Sequence, residues 1–93
     1  MSQRTFKSDY QLTVTGGWDK QLGYHFLTVE QPDGTLIWSN LDQDDYNVTP
    51  DQQLEVLHTL GIVPPETWVQ DLIADMHNPN GSFKHDYGWI VPV

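Results

Sequence analysis

Between Asn40 and Thr49 the hydrophobic pattern of this chain changes period, and that change constrains the fold more than any other feature. Upstream, apolar side chains recur at every second position, the period of a half-buried strand. Downstream they recur at every third and fourth, the period of an amphipathic helix. Strands grouped ahead of helices predict an α+β fold in which helices cover one face of an antiparallel sheet.

The upstream half reads as a three-stranded meander over residues 9–39, after a polar N-terminal arm at 1–8. In the run Tyr10-Gln11-Leu12-Thr13-Val14-Thr15, Tyr10, Leu12 and Val14 are expected to face inward, and Gly16-Gly17 to end the strand. Tyr24–Glu30 is rich in aromatic and β-branched residues and is the clearest strand. Gln31-Pro32-Asp33-Gly34-Thr35 is a turn in which proline presets φ and glycine supplies a positive one. Leu36-Ile37-Trp38-Ser39 then returns antiparallel.

The downstream half reads as a helical pair over 49–77. Thr49-Pro50-Asp51-Gln52 is a helix start, with Thr49 as N-cap, Pro50 at the first helical position and Gln52 completing a capping box. Leu54, Leu57 and Leu60 form the expected inner stripe, and Gly61 suits the residue beyond the C-cap. A second helix is expected from Pro64 or Pro65, with Val69, Leu72, Ile73 and Met76 on its apolar face. Asn78-Pro79-Asn80-Gly81 should end it. The last segment, 78–93, is a loop and tail whose Tyr87–Val93 portion docks or adds a short edge strand, since Pro92 suits only an edge.

At 93 residues the chain makes one domain, 1–93, with a modest core. Any site should therefore lie on a surface, in a shallow groove or at a subunit interface. The absence of cysteine excludes disulfides and thiolate zinc sites and suits a cytoplasmic location. The first residues lack the apolar run of a secretory signal, and no apolar stretch reaches the roughly 20 residues needed to span a bilayer.

Net charge is −9, from 13 acids against 4 Lys and Arg, and its distribution says more than its total. Arg4, Lys7, Lys20 and Lys84 lie near the two ends; none falls between Gln21 and Phe83. Direct contact with nucleic acid or an anionic membrane needs a basic footprint and is disfavoured. A basic protein surface is the expected partner, including that of a nucleic-acid-binding protein whose phosphate contacts spaced carboxylates can imitate.

The candidate partner-binding residues are Asp42, Asp44, Asp45, Asp51, Glu55, Trp68, Asp71 and Asp75. Asp51 and Glu55 share the outer face of the first helix; Asp71 and Asp75 share a face of the second, bordered by Trp68. Carboxylates beside an edge aromatic suit a Lys/Arg-rich surface through ion pairs and cation–π contact. The alternative is a solvated acidic face with Trp68 in the core. A second candidate is a ligand groove formed by the loop Gly16–Gly23, with Trp18 at its tip, together with Asp19, His25 and Trp38. A third is self-association through the C-terminal Trp89–Val93 segment. His77, His85 and Asp86 match no metal motif, and the acidic run from Asp42 lacks the glycine and glutamate of a calcium loop. No nucleophile motif is present, so neither enzymatic chemistry nor a cofactor is expected.

Overall fold

A computed structural model of the chain describes residues 1–78 and 82–90. The strands are β1 (Ser2–Lys7), β2 (Thr13–Asp19), β3 (Tyr24–Glu30), β4 (Leu36–Ser39) and β5 (Phe83–Trp89), with helices α1 (Pro50–Thr59) and α2 (Trp68–Met76). They form one five-stranded sheet in the order β4-β3-β2-β1-β5, in which only the β1–β5 pair is parallel. The α+β class is as the pattern predicts. The sheet is larger than a meander with an optional edge strand, and it is mixed.

The largest correction is at the N-terminus. Residues expected to be a polar arm are an inner strand, β1, paired to β2 on one side and β5 on the other. Ser2 and Phe6 are buried, and Arg4 between them is only 11% exposed at its side chain. Two of the three inward positions are polar, so the alternation of a buried strand is absent from the sequence. Both polar groups instead find a common partner in Asp75 of α2.

The second correction concerns Gly16-Gly17, which continue β2 rather than ending it. A side chain at Gly16 would meet Trp68 at 2.7 Å and Gln53 at 2.9 Å, and one at Gly17 would meet the Ser2 carbonyl oxygen at 2.0 Å. Gly16 thus lets the two helices approach β2 closely, and Gly17 lets β1 do so. The hairpin closes later, at Lys20–Gly23, where the Asp19 carboxylate accepts the amides of Gln21 and Leu22. Trp18 is accordingly a strand residue opposite His25 and not a loop tip. The strand expected from Tyr10 begins at Thr13, after a short 3-10 turn over Asp9–Gln11. The orientation expected of the Tyr10 side chain lies outside the description.

Both helices lie against the face carrying Phe6, Val14, Leu27 and Val29, and Leu57, Trp68 and Leu72 complete the core. Trp68 meets Phe6 edge to face, with ring centroids 5.1 Å apart. The Thr49–Gln52 capping box forms as read. The buried stripe of α1, however, runs through Gln53 and Leu57, while Leu54 is 39% exposed. An inward glutamine is tolerable because its amide is saturated: Nε2 donates to the Phe26 and Val48 carbonyls, and Oε1 accepts the Trp68 indole N–H. The second helix starts at Trp68, later than Pro64 or Pro65, and buries Trp68, Leu72 and Asp75, leaving Ile73 and Met76 exposed. The stop expected at Asn78-Pro79-Asn80-Gly81 and the tail beyond Ile90, including Pro92, fall largely outside the described residues.

Candidate acidic groove beside Trp38

β4 sits at one end of the sheet, and the chain leaves it through a tightly held acidic loop. Ser39 caps a short 3-10 turn by accepting the Leu41 amide. Buried Asn40 then accepts the Leu27 amide and donates to the Tyr46 carbonyl. Asp45 accepts the Asn47 amide, Asn47 accepts the His25 amide, and the Val48 amide donates to the His25 carbonyl. Amide side chains thus tether a highly charged loop alongside β3, at a fixed distance from α1.

A groove of about 380 Å³ lies between this loop and α1, lined by Trp38, Asp44, Asp45, Asn47, Glu55 and Val56 among others. A second groove of about 260 Å³ continues past Trp38 and Glu55 to Thr59 and Leu60. Trp38 stands opposite Val29 in the sheet, half-buried, so its ring is held from behind and open towards the groove. Asp44, Asp45 and Glu55 are exposed, and Arg4, which pairs with Asp71 and Asp75, lies far along the strand order.

Of the residues read as partner-binding, Asp42, Asp44, Asp45, Asp51 and Glu55 are exposed and belong to the loop or to α1. Trp68 and Asp75 are not surface residues: Trp68 is 0% exposed in the core and Asp75 is 3% exposed. Asp75 receives Arg4 Nε and Nη2 on its two oxygens, each at 2.8 Å, and the Ser2 hydroxyl at 2.8 Å. Asp71 is half-buried in the same network, accepting Tyr87 and Thr67 hydroxyls, with Arg4 at 3.7 Å. Burial tends to raise the Asp71 carboxyl, but those two hydroxyls and the Arg4 charge outweigh it and hold it below the usual range. Burial, then the bond to Asp71, pushes the Tyr87 phenol up to about 12. Arg4 is held still more firmly protonated, chiefly by its bonds to Asp75. This is a structural cluster that spends two of the expected surface acids on fixing β1 to α2.

The Trp18 reading loses its geometry. Trp18 and His25 do meet, in a tilted contact with ring centroids 4.8 Å apart, but His25 is buried and its Nε2 lies 3.0 Å from the Leu72 carbonyl of α2. Desolvation drives its pKa down. Asp19 serves the hairpin turn, and the grooves beside Trp38 include neither Trp18 nor His25. At the far edge Trp89 of β5 is exposed but lies beneath the Lys7 ammonium, 5.7 Å from its ring centre; Val91–Val93 lie outside the described residues. Among the described residues no group of three or more His, Asp or Glu is placed to hold a metal ion. No described helix is long and apolar enough to cross a membrane.

Asp44, Asp45 and Glu55, expected on a partner-binding surface with Trp68, line this groove with Trp38, a residue expected beside Trp18, whereas Trp68 is buried. Asn40, Asn47 and Gln53, which position the loop and α1, carry no periodic signal; only the Asp/Asn density after Ser39 hints at side-chain capping. Comparison of the chain with known protein families, with curated proteins and with solved structures finds no match.

Proposed function

We propose that this domain is a small cytoplasmic binding or regulatory module whose acidic groove receives a Lys or Arg side chain from a basic protein partner. The observation that carries this reading is the placement of half-buried Trp38 in one groove with Asp44, Asp45 and Glu55, in a stretch of chain free of Lys and Arg. The indole face attracts a cation and the carboxylates surround it, so charge steers the encounter and aromatic contact follows. Asp42 and Asp51 extend the field around the groove. The mode of action is occupancy; a protein whose own ligand is nucleic acid would be masked where it normally meets phosphate.

The test is a calorimetric titration with octalysine at two salt concentrations. Asp44→Lys/Glu55→Lys should raise Kd about tenfold or more and flatten its salt dependence. Asp9→Lys/Glu66→Lys, two exposed charge reversals away from the groove that change net charge equally, should change Kd far less. Equal losses in the two variants would mean that only net charge matters and that the groove has no special part.

A further inference from the structure

We propose that the partner enters the groove as an extended segment that adds a strand to the free edge of β4, setting Lys or Arg side chains at alternate positions against Trp38. This rests on the acidic-groove reading and deepens it. β4 ends the strand order, with no strand beyond it among the described residues, and an edge strand turns alternate N–H and C=O groups outward. The molecule closes the neighbouring stretch of β3 itself. The His25 amide and carbonyl are taken by Asn47 and Val48, and the Leu27 amide by Asn40. That cover reaches Ser39, whose carbonyl accepts Gln43 Nε2, so the edge left open is Leu36–Trp38, and Trp38 lines the groove.

This edge carries neither charge nor proline, and only its shortness and a bulge guard it. Its sequence is Leu-Ile-Trp-Ser, with no lysine, proline or other charge, and Leu36 and Ile37 are 49% and 41% exposed. A register shift at Ile37 keeps the run short, which suits a docked segment of a few residues rather than an extended sheet contact. The occupant follows from charge. Asp44, Asp45 and Glu55 line the groove that Trp38 of this edge strand enters, whereas the opposite edge, β5, carries Lys84 and the Trp89 covered by Lys7. A second copy of a chain with net charge −9 is repelled; a segment alternating basic and apolar residues is drawn in. In a strand every second side chain shares a face, so such a segment turns one whole row of cations to Trp38 and the carboxylates.

The experiment uses the isotope-labelled wild-type chain and three probes: a capped Lys-Val octapeptide, the same peptide N-methylated at every valine or at every lysine, and a helical Ala/Lys peptide of equal charge. Strand addition predicts that the octapeptide protects amides within Leu36–Trp38 from hydrogen exchange. It also predicts that one of the two N-methylated forms binds at least tenfold more weakly. If both N-methylated forms bind like the parent, or the helical peptide binds as well without edge protection, strand addition is overturned while the acidic groove stands. If none binds, the groove reading fails with it. Edge protection that needs no peptide and grows with protein concentration would overturn the proposal in favour of self-pairing.

Discussion

Replacing Asp75 with alanine should damage the fold rather than a binding surface, and the structure sets the size of the effect. The carboxylate is almost wholly buried and holds Arg4 through two 2.8 Å bonds while accepting the Ser2 hydroxyl. Its loss leaves a guanidinium that is 11% exposed with Asp71, 3.7 Å away, as its remaining acidic neighbour in the cluster. Breaking one side of a buried pair typically costs about 3–5 kcal/mol. A domain of this size has a total stability of about 5–14 kcal/mol, so the variant should be marginal. With a urea slope of about 1.5 kcal/mol/M, the unfolding midpoint should fall by roughly 2–3 M. The assay is urea unfolding followed by tryptophan fluorescence, with Arg4→Met and Arg4→Met/Asp75→Leu completing a double-mutant cycle. The double variant should recover much of the loss, because two apolar groups leave no orphaned charge. Asp71→Ala, at a site 30% exposed, should cost only about 1 kcal/mol. A midpoint shift below about 0.5 M for Asp75→Ala, or a double variant as unstable as the two singles summed, would refute the reasoning.

Other substitutions probe the same framework. Gln53→Leu leaves the Trp68 indole N–H and two carbonyls without their partner, so chemical denaturation should show a loss of about 2–4 kcal/mol despite the gain in apolarity. Gly17→Ala should be harsher than Gly16→Ala, since its Cβ meets the Ser2 backbone oxygen whereas the other meets side chains; thermal unfolding of both variants checks the order. His25 gives a pH dependence. The buried ring resists a proton that the unfolded chain accepts near pH 6.5, so full stability holds above that pH and falls as the pH drops below it. Urea midpoints between pH 7.5 and 5 should show that slope, and His25→Gln should reduce it.

Where local chemistry decides structure, the sequence is readable. The Thr49–Gln52 capping box, the Asp33-Gly34 turn and strand β3 each depend on residues within a few positions of one another. What escapes is decided across the chain. β1 looks polar because Ser2 and Arg4 are satisfied by Asp75, more than 70 residues away. Gly16-Gly17 looks like a turn because close approach of another element and a positive φ call for the same residue. α1 is rotated from its leucine stripe because Gln53 meets Trp68 of the other helix. The groove divides likewise: Asp44, Asp45 and Glu55 are apparent from charge alone. That Trp38 and not Trp68 lies among them depends on the stacking of α2 against Phe6, which no local pattern reveals.

The central claim is that Trp38 and its carboxylate neighbours form the docking point for a basic partner. The most direct test is a two-dimensional amide spectrum of the isotope-labelled chain titrated with octalysine. The four tryptophan indole N–H signals serve as reporters. The account predicts a saturable shift of the Trp38 indole with the backbone signals of Asp44, Asp45 and Glu55, suppressed by salt, while the Trp68 indole, bound to Gln53, stays still. Shifts spread over every acidic residue, or a Trp38 signal that does not move at saturation, would contradict it.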